Sequence, residues 1–180
     1  TEITFDCDPI LLSVGIIPEH ELSKSAGNAL DSKTKGPVVY ENMETSVDGI
    51  FACGNVVHVH DLVDFVTAES QKAGRSAGKY IAGSQPQCSS FIEVKQGSCV
   101  NYTVPQKIRV RNIEKTAELF FRVNNVYKDV VIKVRDDEKE IAKFKREHMA
   151  PGEMEKIVLP KAFLENVKGA LTVAVEKEEA

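Results

Sequence analysis

Glu44-Thr45-Ser46-Val47-Asp48-Gly49-Ile50-Phe51-Ala52-Cys53-Gly54-Asn55 is the stretch that decides the fold of the first half of the chain. Its centre, Ile50-Phe51-Ala52-Cys53, is a short apolar run after an Asp-Gly turn, which is typical of a strand covered on both faces. Gly54 has no Cβ, so its backbone can approach a ligand closely. Asn55 then supplies a polar side chain. The stretch predicts a buried strand that ends at a glycine, within an α/β half of the chain.

A helix follows this turn. Helical spacing of apolar residues predicts it over Thr67–Ala82, with Asp64 or Thr67 as the candidate cap at its start. Gly83 fits the left-handed position after its end. Its repeating apolar positions are Ala73, Ala77, Tyr80 and Ile81. The other elements predicted in this α/β half are a strand within Phe5–Val14, a short helix over Glu21–Ala26 closed by Gly27, and an extended piece at Pro37–Tyr40.

The pattern of the chain changes near residue 85, after the linker Gly83–Gln87. Beyond it, apolar and polar residues alternate, so each strand has one buried and one solvated face. The pattern predicts about seven short strands separated by turns such as Asp136-Asp137, which is typical of a β-sandwich. We therefore predict an α/β domain over residues 1–84 and an all-β, immunoglobulin-like sandwich over residues 85–180. The clearest alternations are Leu119/Phe121/Val123, Val130/Ile132/Val134 and Leu171/Val173/Val175.

The composition excludes several classes of protein. The net charge is −4 and the pI about 5.6, and basic residues are interleaved with acidic ones, so nucleic acid is not an expected partner. The apolar runs are far shorter than the roughly 18 residues that a membrane-spanning helix needs. No signal peptide opens the chain, and its first residues are typical of the middle of a protein. We expect part of a longer cytoplasmic protein without a membrane span.

The four cysteines have no metal-like or disulfide-like spacing. Cys7 and Cys53 lie in or beside apolar runs, where a free cysteine behaves as a small hydrophobic residue. Cys88 and Cys99 could in principle come close enough to form a disulfide, but nothing else in the sequence indicates an oxidising compartment. All four are predicted to be free thiols.

Three ordered motifs resemble the pyridine nucleotide-disulphide oxidoreductase superfamily. Glu44–Asn55 resembles its second FAD-binding motif, and Cys7–Pro18 resembles the strand that leaves its NAD(P)H-binding insert. The helix after Asn55 follows at the matching distance. His58–Asp64 resembles a bacterial branch near anaerobic glycerol-3-phosphate dehydrogenase and sarcosine oxidase subunits. The resemblance covers residues 5 to 83, which it identifies as the C-terminal part of a FAD/NAD(P)-binding, Rossmann-like domain; it does not cover the sandwich.

The resemblance implies FAD and NAD(P)H as cofactors and hydride transfer through FAD to an acceptor that the sequence does not identify. It implies that Gly54 and Asn55 contact the ribityl or pyrophosphate part of FAD; the alternative for Asn55 is a strand-end residue in a loop without a ligand. Asn55 replaces the family's acidic residue, but its amide oxygen still accepts hydrogen bonds. Thr67 and Ala68 are candidates to donate backbone N–H groups to the flavin, although any helix start exposes such groups. The G-x-G-x-x-G loop and the family's cysteine pair are absent, so this chain alone is expected to be inactive.

The two histidines after Asn55 suggest other chemistry. Alternation places His58 and His60 on one side of an extended stretch, near Cys53 and Asp61. A structural zinc site normally uses four ligands in paired spacings, and no second pair follows. We therefore expect a solvated or core histidine pair and no metal site, and keep metal binding through His58 and His60 as a third hypothesis.

His60 is the candidate catalytic residue, because the pKa of histidine suits proton handling near a flavin with Asp61 or Asp64 as a partner. Glu69 and Lys72 have helical neighbours one turn away and are expected at the surface. A second hypothesis concerns the other half of the chain, where the sandwich is a non-catalytic module that docks a partner subunit. These two hypotheses are compatible.

Overall fold

The computed structural model describes residues 2–9, 11, 15–85 and 89–177. Within these residues, two helices lie in the first half, and eight strands and a third, short helix lie in the second. Among the described residues, no helix is long and apolar enough to cross a bilayer. In chain order the elements are α1 (Glu21–Ser25), α2 (Val63–Ile81), β1 (Ile92–Gln96), β2 (Val100–Val104), β3 (Lys107–Ile108), β4 (Thr116–Val123), β5 (Tyr127–Asp136), β6 (Lys139–Met149), β7 (Glu155–Pro160), α3 (Lys161–Leu164) and β8 (Leu171–Lys177), with 3-10 turns at Gly54–Val56 and Val110–Asn112.

The helices of the first half are confirmed, with one correction. α1 ends before Gly27, whose φ is +81°, and α2 ends before Gly83, whose φ is +64°. α2 begins at Val63 rather than at Thr67, and its cap residue Leu62 offers no side-chain hydrogen bond. The prediction of a cap at Asp64 or Thr67 was wrong, because both residues lie inside the helix.

The predicted strand at Ile50–Cys53 is not formed. Phe51 makes a single isolated bridge with Glu44, and Pro37–Tyr40 makes only isolated bridges as well. Residues 2–9, 11 and 15–85 contain no regular strand. A central parallel strand needs hydrogen-bonded neighbours on both sides, and this part of the chain supplies none. The predicted strand within Phe5–Val14 falls partly on residues 10 and 12–14, which lie outside the described residues.

The second half consists of two sheets. The larger has the strand order β3-β1-β8-β5-β6, and the smaller has the order β2-β4-β7. β1 and β8 run parallel, whereas the other pairs are antiparallel. The three predicted alternations are confirmed, because their apolar residues point into one hydrophobic core that both sheets line. The immunoglobulin-like relationship and the boundary at residue 84 stay predictions.

The outer face of the smaller sheet packs against the first half of the chain. A second hydrophobic cluster joins Val39 and Val57 to Tyr102 and Val104 of β2. Phe120 of β4 points away from the sandwich core but is only 4% exposed. Its ring centroid lies 5.5 Å from that of Phe65 in α2. The predicted solvated face of β4 is therefore wrong at this position, because the first half covers it.

Polar contacts reinforce this packing. Lys72 Nζ in α2 lies 2.8 Å from Glu118 Oε2 in β4, and Arg109 Nη1 lies 2.7 Å from Glu44 Oε2. Tyr40 also bridges to Lys107 in β3. Lys72, expected as a plain surface residue, is thus a half-buried partner of the sandwich. The two halves share a contact surface with both an apolar and a charged part.

Candidate functional site

The candidate site is built on the loop between the 3-10 turn at Gly54 and the start of α2. Gly54 has a φ of +68°, a left-handed conformation that side chains rarely adopt, and an added Cβ would lie 3.2 Å from Val66 Cγ1. Its N–H donates to Glu69 Oε2 at 2.8 Å. The turn therefore requires glycine, and the second turn of α2 holds it in place.

Asn55 lies on the surface next to this turn. Its side-chain Oδ1 accepts a hydrogen bond from the backbone N–H of His60 at 3.1 Å. This bond closes the loop from Asn55 to His60. Asn55 is exposed, as are Leu62 and Val63 at the start of α2.

Two histidines and one glutamate meet beneath this loop. His58 Nε2 lies 2.8 Å from Glu69 Oε1, and His60 Nε2 lies 3.1 Å from Glu69 Oε2. Their side chains are 1%, 0% and 2% exposed for His58, His60 and Glu69. The prediction that Glu69 is a surface residue was wrong. It lies on the face of α2 that also buries Ala73 and Ser76.

A signal for this burial exists in the sequence. Glu69, Ala73 and Ser76 are spaced by four and three residues, so they form one stripe on α2. Small residues on a stripe allow close packing of the helix against its neighbours. Sequence reasoning followed the apolar positions instead, and two of these, Tyr80 and Ile81, are 36% and 85% exposed.

The electrostatics of the cluster favour an ionised Glu69 beside a neutral His58. Burial opposes ionisation of Glu69, but hydrogen bonds from His58 and His60 outweigh it and lower its pKa to about 2. Burial also lowers the pKa of His58, although the bond to Glu69 acts in the opposite direction. Both shifts fit a neutral His58 imidazole that donates its Nε2–H to an ionised Glu69 carboxylate. The Nδ1 atoms of both histidines are buried without a hydrogen-bond partner among the described residues.

The cluster has an aromatic shell. The ring centroid of Phe120 lies 6.0 Å from that of His58 and 6.1 Å from that of His60, and Phe65 lies 6.3 Å from His60. Tyr102 faces His58 at 6.0 Å. Because Phe120 and Tyr102 come from the smaller sheet, the cluster lies at the contact surface between the two halves.

Arg122 of β4 fastens the loop to the smaller sheet. Its guanidinium donates to the carbonyl of Val59 at 3.1 Å and pairs with Asp61, and its Nε donates to the hydroxyl of Tyr102 at 3.1 Å. Asp61 in turn accepts the backbone N–H of Met154. The loop is therefore held from α2 on one side and from the sandwich on the other.

The structure brings some of the predicted site residues together and separates others. Gly54, Asn55 and His60 belong to one loop, whereas Thr67 and Ala68 lie in the second turn of α2. In a helix that begins at Val63, the N–H groups of Thr67 and Ala68 are used by the hydrogen-bond ladder. The side chain of His60 faces Glu69 rather than solvent, and its catalytic role stays a sequence-based prediction.

The cysteines agree with the sequence analysis where the structure describes them. Cys7, Cys53 and Cys99 are free thiols. Cys53 Sγ donates a weak hydrogen bond to Ser70 Oγ at 3.5 Å. Cys88 lies outside the described residues, so the prediction for it stays open to experiment.

Comparisons with known proteins concern the first half of the chain. Residues 1–77 match the family model described as pyridine nucleotide-disulphide oxidoreductase. A protein described as NADH oxidase from Methanocaldococcus jannaschii is 34% identical over 88 residues, which cover 44% of this chain and 18% of that protein. The chain thus spans less than a fifth of the length of this relative. No solved structure matches the chain at a significant level.

These findings confirm the resemblance of Glu44–Asn55 at the level of the family. The matched region contains α1, the Gly54–Asn55 turn and most of α2, and it ends before β1. The first 77 residues are therefore similar to a segment of a pyridine nucleotide-disulphide oxidoreductase, and the two sheets lie outside the match.

Proposed function

We propose that this chain is part of a flavin-dependent oxidoreductase that passes hydride or electrons between NAD(P)H and an acceptor through FAD. The observation that carries the proposal is the left-handed Gly54–Asn55 turn, which precedes α2 within the residues that match the oxidoreductase family. The similarity to an NADH oxidase supports the same class of activity.

The exposed groups around this turn fit one part of FAD. Asn55 offers an exposed amide that can donate to and accept from ribityl hydroxyls. The first turn of α2 is exposed at Val63 and Asp64, and a first turn has unpaired N–H groups. We expect these groups to face the pyrimidine edge of the flavin, in place of Thr67 and Ala68. When bound, FAD supplies the hydride and electron chemistry, and the protein supplies position and polarity.

Other residues of the chain position this surface. The Glu69 carboxylate accepts a hydrogen bond from the N–H of Gly54, and the Asn55 side chain accepts one from the N–H of His60. Arg122 holds the loop at Val59 and Asp61. A loop fastened at this many points presents Asn55 in one orientation, which lowers the entropic cost of binding a ligand.

The chain lacks the group that binds the pyrophosphate of FAD. Its eleven glycines include no G-x-G-x-x-G sequence, and that loop together with a helix N-terminus normally holds the pyrophosphate. We therefore propose that the chain by itself is inactive and binds FAD poorly. The finer proposals are a relationship to the glycerol-3-phosphate dehydrogenase and sarcosine oxidase branch, a cytoplasmic location, and a partner subunit docked on surfaces of the sandwich other than the covered face of β2-β4-β7.

The test compares this chain with the longer natural protein. The chain should purify colourless, and the longer protein should be yellow with a flavin absorption spectrum. In the longer protein, Asn55→Asp should keep the flavin because an acceptor is retained. Asn55→Leu should weaken flavin binding by about 1–3 kcal/mol, or up to roughly two decades in Kd, because a hydrogen bond to a buried partner is lost.

Flavin fluorescence measures the three dissociation constants. Equal affinity of the Leu variant and the unsubstituted protein would remove Asn55 from the flavin site. A colourless longer protein that gains no flavin on reconstitution would refute the proposed function itself.

A further inference from the structure

We propose that His58, His60 and Glu69 form a binding site for a divalent transition-metal ion such as Zn²⁺. The site uses Nε2 of each histidine and the carboxylate of Glu69. Two imidazoles and one carboxylate are the donor set of His₂Glu zinc sites and of the facial triad that binds iron(II). The inference is independent of the flavin proposal, because the three donors lie in the chain as it stands.

The three donors already converge on one point. Their ligand atoms lie within 4.8 Å of one another. His58 Nε2 lies 2.8 Å from Glu69 Oε1, and His60 Nε2 lies 3.1 Å from Glu69 Oε2. Zinc bonds to nitrogen and oxygen of about 2.1 Å in tetrahedral geometry separate neighbouring ligand atoms by about 3.4 Å. The two histidine–carboxylate distances are a few tenths of an ångström shorter than this spacing, so an ion requires a small outward movement of these side chains.

The three donors come from two different elements, so they do not have the paired spacing of a typical structural zinc site. His58 and His60 come from the loop, and the third donor comes from α2, eight residues after Asp61 and within the helix. The expectation of no metal site depended on the lack of a second ligand pair after His60. The structure instead supplies a single carboxylate from the buried stripe of α2.

One outer hydrogen bond and an apolar shell surround the three donors. The Gly54 N–H donates to Glu69 Oε2, an outer contact of the type that orients a metal-binding carboxylate. Phe65, Phe120 and Tyr102 form an apolar shell, which lowers the local dielectric and limits access of water. Arg122, which holds the loop at Val59, is paired with Asp61.

The donor set also selects the class of metal. Mg²⁺ and Ca²⁺ prefer oxygen ligands, whereas imidazole nitrogen favours zinc, iron, nickel and copper. Three protein ligands leave at least one coordination position for water or another small ligand, which is the arrangement of a catalytic rather than a structural zinc site. We therefore expect a dissociable ion with one open position.

The experiment titrates the metal-free 180-residue chain with Co²⁺ and follows its visible absorption bands, then displaces Co²⁺ with Zn²⁺. We expect one ion per chain. His58→Gln, His60→Gln and Glu69→Gln should each weaken binding at least tenfold, since even the loss of a group that only supports a ligand costs about 10–100-fold.

Three matched controls locate the ion. His20→Gln and His148→Gln remove the other two histidines of the chain and should leave the affinity unchanged. Cys53→Ser should also leave it unchanged, and the Co²⁺ spectrum should contain no thiolate charge-transfer band. A loss of binding in one of these controls, with binding intact in the His60→Gln variant, would overturn the assignment.

If a variant fails to fold, the thermal stability of the unsubstituted chain with and without Zn²⁺ tests the metal site instead. Zn²⁺ should raise its Tm, because an ion that binds only the folded state stabilises it by mass action. Absence of saturable Co²⁺ binding and of any Zn²⁺-dependent rise in Tm would show that the three residues form only a hydrogen-bonded cluster. No flavin is present in these measurements, so their failure would leave the oxidoreductase proposal untouched.

Discussion

Replacing Phe120 by alanine tests whether the two halves of the chain pack as the structure has them. Phe120 lies on the outer face of the smaller sheet and is 4% exposed. Its lost burial is worth about 2–3 kcal/mol. The lost edge-to-face contact with Phe65, at 5.5 Å between ring centroids, adds about 1 kcal/mol. We expect Phe120→Ala to lower the free energy of unfolding by about 3–4 kcal/mol, within the usual range for a buried phenylalanine.

Urea unfolding followed by circular dichroism measures this change. With a slope of about 2 kcal/mol per molar, a loss of 3 kcal/mol moves the midpoint down by about 1.5 M. Phe163→Ala is the matched control, because Phe163 is 45% exposed in α3 and should cost less than about 1 kcal/mol. Equal costs for the two variants would refute the packing of the first half on β4.

Three further predictions concern the second half, the thiols and pH. Residues 86–180 expressed alone should give a dispersed amide NMR spectrum, because both sheets close on one core; a collapsed spectrum would contradict a separate domain. Titration of the denatured, unreduced chain should find four thiols, whereas two would reveal a bridge between Cys88 and Cys99. Hydrogen bonds from Arg135 and then Lys133 lower the pKa of Glu176 to about 2. A lowered carboxylate pKa stabilises the folded state above the unfolded pKa near 4.5, and this contribution disappears as pH falls towards 2. At a half-exposed site the contribution to the free energy of unfolding is about 1 kcal/mol. The Glu176→Gln variant should therefore be less stable than the unsubstituted chain at pH 7 and equally stable near pH 2.

The β half was the more predictable from sequence. Strict alternation at Val130, Ile132 and Val134 identifies the buried face of β5 without knowledge of the fold, because the period of two is intrinsic to a strand. Alternation does not reveal what lies on the other face. Phe120 interrupts the alternation of β4, and its burial depends on residues more than fifty positions earlier in the chain.

The first half was less predictable from sequence. An apolar run forms a strand only beside neighbouring strands, and the described residues of this half contain none. The apolar run at Ile50–Cys53 has the composition of a central strand, yet without neighbouring strands it forms one bridge. The turn at Gly54 was predictable because a left-handed backbone is a local property of glycine. The site beneath it was not, since Glu69 meets His58 and His60 only once α2 packs against the loop.

The single guanidinium of Arg122 is shared between two distant pieces of backbone. It donates to the carbonyls of Val59 and Pro151, which are separated by some ninety residues in sequence but held by one rigid, planar group. The N–H donors of a guanidinium keep a fixed angle to one another. A shift of one carbonyl that tilts the guanidinium therefore also tilts its hydrogen bond to the other carbonyl. A displacement of the loop at Val59 would therefore disturb the hydrogen bond that Arg122 donates to the turn at Pro151.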